Sequence, residues 1–335
     1  MKDTIAELEK FWELKGEKNV KMYIDDLSKF TFVPFIGSGM SVPFGCPTWS
    51  NFLSKIINDF FELSEREPLI DLLKKEEFLE LADKLNDILG NGVVEEQVRN
   101  EFGFTDIKRV NKDRNYLSFL KNKSSINTFV TTNFDSVIET SLGFSADKIY
   151  LPSNLLKCND IVDKIRHGES CIIKLHGTAS QPDSIILTGK TFEAMYKREN
   201  TALQELVDYL WNRTVLLFLG CGLKNDYLVE HLQDLASTKK VNWHYAILPY
   251  PNETEIIKRR RELAALKIRP IWYEKGNHEQ ILIILNLITG DYGLQGSLET
   301  NEQKRSSELT VNVNNGNIGT QTMLNIKYLN GNINQ

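Results

Sequence analysis

Cysteine is scarce in this chain, with four residues among 335, and no two of them form a C-x-x-C pair. The four lie far apart in the sequence, at Cys46, Cys158, Cys171 and Cys221. This spacing argues against a zinc knuckle and against a disulfide framework, and it is typical of proteins from a reducing cytosol. We therefore expect a cytoplasmic protein that holds no metal.

A surplus of basic residues and a long apolar run are also missing. The formal net charge is −5, which disfavours nucleic acid as the main partner. The densest basic run, residues 258–261, is typical of the solvated face of a helix, and we assign it no role. No stretch reaches 18 apolar residues, and the first residues, from Met1 to Asp3, do not resemble a signal peptide. The sequence thus predicts a soluble protein without direct nucleic-acid or membrane contacts.

Short apolar runs alternate with helical or mixed segments along most of the chain. The strand-like runs are residues 32–36, 127–130, 148–151, 171–175, 184–187, 215–219, 244–248 and 268–272. The run Val215–Leu219 is apolar throughout, which is typical of a strand that is covered on both faces. The alternation predicts a Rossmann-like α/β fold with a doubly wound, largely parallel sheet.

Composition divides the chain into regions. Residues 1–290 are expected to form the main domain, with a charged, helix-rich insertion at about 50–123. Residues 291–308 are polar and predict a linker. Residues 309–335 are rich in Asn, Gly, Thr and Gln and predict a short β-prone tail. An amyloid-type signalling segment, a β-hairpin, an oligomer contact and a disordered tail remain open for this tail.

Glycines and polar residues stand where four of the strand-like runs end. The four motifs are Gly37-Ser38-Gly39-Met40-Ser41, Thr131-Thr132-Asn133-Phe134-Asp135, Lys174-Leu175-His176-Gly177 and Gly220-Cys221-Gly222-Leu223-Lys224-Asn225-Asp226. Each has a plain structural interpretation, since glycine often ends a strand and Asn133 or Asp135 can cap a helix beginning near Ser136. Ligands of open parallel sheets bind at the carboxyl ends of the strands, so the four motifs together favour one shared dinucleotide site.

In this order the motifs resemble the sirtuin-like domain, in the form found in bacterial anti-phage defence proteins. The resemblance covers roughly residues 30–290, and Ser38 stands where sirtuins carry alanine. It implies catalytic roles at the nicotinamide and its ribose for Asn133, Asp135 and His176, with His176 as the base that faces the ribose. It also implies a set of residues that bind the rest of NAD, namely Gly37, Ser38, Gly39, Ser41, Thr132, Gly220, Gly222 and Asp226.

The resemblance implies NAD+ as a substrate, with Asn133 positioning the water that attacks it. Deacylating sirtuins carry a four-cysteine zinc ribbon, whereas the corresponding region here is the helical insertion and has no cysteine pairs. Water is then the default nucleophile, and the expected products are nicotinamide and ADP-ribose. A zinc-free deacylase or ADP-ribosyltransferase, and a module that senses NAD or ADP-ribose without cleaving it, remain alternatives.

Uncontrolled cleavage of NAD+ would kill the host cell. The resemblance therefore also implies a toxic effector of abortive infection that rests in an inactive state. Assembly into a homo-oligomer, or a defence-system activator or sensor protein, would release the activity, and the tail is a candidate for that control.

Overall fold

The computed structural model describes residues 2–103, 116–117, 120, 126–152, 158–197, 202–224, 227–238 and 242–290. The chain divides into two units, Met1–Thr289 and Gly290–Gln335. Asp226, the linker 291–308 and the tail 309–335 lie outside the described residues, so the expectations for them stay predictions.

Seven strands form the sheet, namely β1 (Val33–Ile36), β2 (Thr128–Thr131), β3 (Ile149–Tyr150), β4 (Cys171–Lys174), β5 (Leu216–Leu219), β6 (His244–Pro249) and β7 (Ile268–Tyr273). The helices up to β2 are α1 (Lys2–Leu14), α2 (Val20–Lys29), α3 (Trp49–Phe60), α4 (Glu67–Lys74), α5 (Phe78–Leu89) and α6 (Asn91–Phe102). The later helices are α7 (Val137–Leu142), α8 (Cys158–Arg166), α9 (Gly189–Phe192), α10 (Ala202–Arg213), α11 (Tyr227–Thr238), α12 (Ile256–Ala265) and α13 (Glu279–Thr289).

The strands lie in the order β3-β4-β2-β1-β5-β6-β7, and every neighbouring pair is parallel. The chain builds one side of the sheet from the central β1, then crosses through α10 to β5 on the other side. This reversal makes a topological switch point between β1 and β5, where open α/β sheets bind their ligands. The predicted Rossmann-like fold with a doubly wound parallel sheet is confirmed.

Helices cover both faces of the sheet. Along β5, Leu217 and Leu219 pack into the apolar cluster on one face, while Leu216 and Phe218 pack into the cluster on the other. Burying each such side chain stabilises the fold by about 2 kcal/mol. The apolar run in the sequence therefore follows from burial on two faces.

The predicted strand at residues 184–187 is wrong. Pro182–Ser184 form a 3₁₀ turn, and Ile185, Ile186 and Leu187 follow in an irregular segment. Their side chains are buried because Ile185 and Leu187 enter one apolar cluster and Ile186 the other. A short apolar run predicts burial, and it does not by itself predict pairing with another strand.

The predicted helical insertion lies between β1 and β2. Within residues 49–103 the structure has four helices, α3 to α6. Leu81 and Leu85 of α5 and Val94 and Val98 of α6 are fully buried in the same apolar cluster. Among the described residues, no helix is long and apolar enough to cross a membrane.

Candidate functional site

The strands that carry the four motifs end in register. Ile36 of β1 pairs with Leu219 of β5 and with Thr131 of β2, and Thr131 pairs with Lys174 of β4. Neighbouring strands lie about 4.8 Å apart, so the four loops span about 14 Å along one edge of the sheet. The residues that come next, Gly37, Thr132, Leu175 and Gly220, therefore all begin their loops at the same level.

The glycine loops after β1 and β5 are in direct contact. The Gly37 amide donates to the Leu219 carbonyl at 2.8 Å, and the Gly39 amide donates to the Gly220 carbonyl at 3.0 Å. A Cβ atom on Gly37 would lie 2.5 Å from the Gly220 carbonyl oxygen, so no larger residue fits. Gly220 itself has a φ of +65°, in the left-handed region that favours glycine. Both amides are used in contacts between the loops, so neither is free to donate to a ligand.

A buried polar network joins the loop after β1 to the loop after β2. Thr131 Oγ1 donates to the Ile36 carbonyl at 2.7 Å and accepts from the Asn133 amide at 2.9 Å. Asn133 Nδ2 donates to Ser41 Oγ at 3.2 Å, and the Ser41 hydroxyl also hydrogen-bonds the Asp135 carboxyl. Ser41, Asn133 and Asp135 are all buried. Ser41 and Asn133, which are 92 positions apart in the sequence, are thus hydrogen-bonded to each other at the sheet edge.

The environment of the Asp135 carboxyl perturbs its ionisation. Burial raises the pKa of Asp135, whereas the Lys174 ammonium, the Val137 amide and Ser41 act in the opposite direction. Asp135 Oδ1 accepts from the Val137 amide at 3.0 Å, at the first residue of α7. The carboxyl is therefore held in a fixed direction by the start of a helix and by the loop after β1.

His176 lies two residues beyond the end of β4. The residue as a whole is partly exposed, while its Nε2 atom is buried. Its backbone carbonyl accepts from the Ile186 amide at 3.0 Å. The imidazole meets two aromatic rings edge-on, with centroid distances of 6.4 Å to Phe192 and 6.1 Å to Tyr196. Gly177 follows with a φ of +86°. Since β4 lies two strands from β1, the loop that carries His176 begins about 10 Å along the edge from the Gly37 loop.

Comparison with known proteins shows what the chain is similar to. Residues 127–271 match the SIR2-like domain family. This part of the chain therefore resembles a SIR2-like domain. Over 251 residues it is also 26% identical to the NAD(+) hydrolase ThsA of Acinetobacter baumannii (strain 532279), an alignment that covers 71% of this chain and 47% of that protein. The chain thus spans about half the length of this curated relative.

The SIR2-like match contains three of the four motifs, those after β2, β4 and β5. The Gly37 loop lies before the matched residues, yet Gly39 and Ser41 connect it to them through Gly220 and Asn133. Of the other predicted site residues, Ser38 and Thr132 are partly exposed and Gly222 is exposed. Among the described residues, no group of three or more His, Cys, Asp or Glu side chains could hold a metal ion.

Lys174 is a site residue that the sequence analysis missed. Its side chain is 1% exposed, and Nζ donates to the Asp135 carbonyl and to Glu139 Oε1, the latter at 2.8 Å. Buried lysines almost always have such partners. The signal was present in the sequence, because a lysine ends the otherwise apolar strand just before His176.

The helical insertion contacts the segment that matches the SIR2-like family at the start of α9 and in the loop after β5. Asp83 Oδ1 of α5 accepts from the Gly189 amide at 2.7 Å, three residues before Phe192. Glu76, between α4 and α5, pairs with Lys224 of the β5 loop at 2.7 Å. The insertion therefore reaches both the His176 side and the glycine side of the candidate site.

Proposed function

We propose that this chain is an NAD+ hydrolase, which uses water to cleave NAD+ into nicotinamide and ADP-ribose. The observation that carries the proposal is the placement of His176, a buried Ser41–Asn133–Asp135 network and two glycine loops at neighbouring strand ends. The similarity to a protein named NAD(+) hydrolase supports the same reaction. A module that only binds NAD would need the glycine loops alone.

In this proposal His176 acts on the ribose. Cleavage of the nicotinamide–ribose bond develops positive charge on the ribose ring, so groups that add electron density there lower the barrier. The imidazole accepts a proton from a ribose hydroxyl, and such general-base catalysis is worth about 10²- to 10⁴-fold. Phe192 and Tyr196 fix the plane of the ring.

Asn133 and Asp135 act at the nicotinamide end. The bond from Asn133 Nδ2 to Ser41 fixes the direction of the side-chain carbonyl, which orients the attacking water. The Asp135 carboxyl meets the nicotinamide carboxamide from a position set by Ser41 and Val137. Ser41 hydrogen-bonds both of these side chains, so its part is to position them.

The remaining predicted residues bind the other parts of NAD+. Ser38, Gly39 and Thr132 reach the surface near the β1 and β2 ends. The hydroxyls of Ser38 and Thr132 would donate to the phosphates, while Gly39, whose amide is bonded to Gly220, would leave room for them. Gly220 and Gly222 would face the adenosine side, with Asp226 beside them. Gly37 contributes by letting the two glycine loops approach each other.

We further propose that the reaction serves anti-phage defence by abortive infection, in a bacterial cell whose NAD+ it depletes. A toxic reaction of this kind requires a resting state, so homo-oligomer assembly or a defence-system activator or sensor is expected to switch it on. A specific activity that rises with protein concentration would support activation by assembly.

The reaction is tested by incubating the protein with NAD+ alone, at low and high protein concentration, and separating the products by chromatography. Equal amounts of nicotinamide and ADP-ribose are expected without any protein or peptide acceptor. Turnover that appears only when an acyl-lysine peptide or an acceptor protein is added would show a deacylase or a transferase instead. Intact NAD+ together with measurable binding would show a sensor.

A further inference from the structure

Arg259 behaves differently from its basic neighbours on α12. Residues 258, 260 and 261 are exposed, whereas the Arg259 side chain is only 11% exposed. Its guanidinium turns back onto the loop after β5, where Nη2 donates to the Gly222 carbonyl at 2.6 Å and Nη1 donates to the Leu223 carbonyl at 3.1 Å. Glu262 accepts from Nη1 at 3.1 Å and holds the guanidinium from the other side.

The loop that Arg259 holds has an unfavourable backbone conformation. Leu223 has a φ of +50°, a left-handed value that residues with a Cβ atom rarely adopt. Its side chain is buried in the apolar cluster that contains Leu216 and Phe218 of β5. Such a conformation persists only when the surroundings enforce it, and here the enforcing contacts are the apolar cluster on one side and Arg259 on the other.

We propose that Arg259 is a positioning residue for NAD+, which fixes the β5 loop, Gly220 to Leu223, in the shape that receives the adenosine half. The inference rests on the proposed function, which places that half at Gly220 and Gly222. Arginine suits this task because its planar fork donates to two carbonyls at once, whereas lysine offers one compact charge. Gly220 also contacts the Gly37 loop, so the same contact supports both glycine loops.

Replacing Arg259 with methionine keeps an apolar stem and removes both hydrogen bonds. Because the adenosine half is remote from the bond that breaks, KM for NAD+ should rise about tenfold while kcat stays within about twofold. Arg259→Lys, which retains the charge without the fork, should give an intermediate KM. The matched control is Arg261→Met, the same change at an exposed position of the same helix, and it should leave KM unchanged.

Hydrogen exchange of the protein without NAD+ gives a readout that does not depend on activity. Amides of residues 220–224 should exchange faster in Arg259→Met than in the wild type, while those of β6 should not change. Faster loop exchange together with a raised KM in the methionine or the lysine variant supports the inference. Wild-type exchange in the loop, or a loss of kcat at unchanged KM, overturns it.

The two proposals fail in different ways. If Arg259 has no positioning role, the wild type still cleaves NAD+ and the Arg259 variants keep its KM. If the wild type neither cleaves nor binds NAD+, the proposed function is refuted, and the positioning role is refuted with it.

Discussion

Replacing Lys174 with methionine removes a buried ammonium group that joins β4 to the loop after β2. Methionine keeps the length and the apolar bulk of the stem, so the change isolates the charge. Glu139, 12% exposed, loses its partner, and so does the Asp135 carbonyl. Breaking a buried ion pair costs about 3–5 kcal/mol, and the partial exposure of Glu139 places the expected loss of unfolding free energy at about 3 kcal/mol.

Urea unfolding at pH 7 measures this loss. Adding Glu139→Gln to the Lys174→Met variant removes the unpaired charge, so the double variant should recover at least about 1 kcal/mol. The matched control is Lys84→Met, which breaks an exposed pair with Glu80 and should change stability by less than about 0.5 kcal/mol. If Lys174→Met costs no more than this control, or if Glu139→Gln deepens the loss, the buried pair does not hold the loop as argued.

Two further predictions concern stability. Burial lowers the pKa of His244 from 6.5 to about 3. The folded protein therefore holds this histidine neutral, and the free energy of unfolding that this neutral side chain supports is fully present above pH 6.5 and is lost as the pH falls towards 3. Between pH 7 and pH 5 the wild type should lose about 2 kcal/mol relative to His244→Asn in urea unfolding, and identical pH profiles would contradict this. Gly177→Ala should cost at least about 2 kcal/mol, since φ is +86° and a Cβ would lie 2.1 Å from the Ser184 carbonyl oxygen. A Cβ on Gly222 would meet no atom within 4 Å, so Gly222→Ala should leave the stability nearly unchanged. Thermal melts of the two alanine variants measure this difference, and equal melting temperatures would contradict it.

The parallel sheet could be predicted from the sequence because burial on both faces makes a strand apolar at every position. Val215–Leu219 is such a run, and most of its residues form β5. The run at 184–187 is also largely apolar but is not a strand, since apolar side chains indicate burial and do not indicate hydrogen-bond partners. The position of the candidate site could also be predicted, because ligands of open parallel sheets bind at the carboxyl ends of the strands.

The contacts that shape the site could not be predicted. Lys174 and Glu139, 35 positions apart, and Arg259 and Gly222, 37 positions apart, meet only in the folded chain. Arg259 stands in a basic run that looks solvated, because the run alone does not show which side chain turns inward. The burial of Ser41 likewise depends on the loop after β2, which local sequence does not reveal.

The role of His176 is the centre of this account, and the release of nicotinamide from NAD+ tests it most directly. His176→Ala should fold with an unchanged thermal melt and lose about 10²- to 10⁴-fold in turnover. The matched control is His167→Ala, which removes an exposed histidine beyond α8 and should keep the wild-type rate. Equal rates of nicotinamide release by the wild type and both variants would contradict the account.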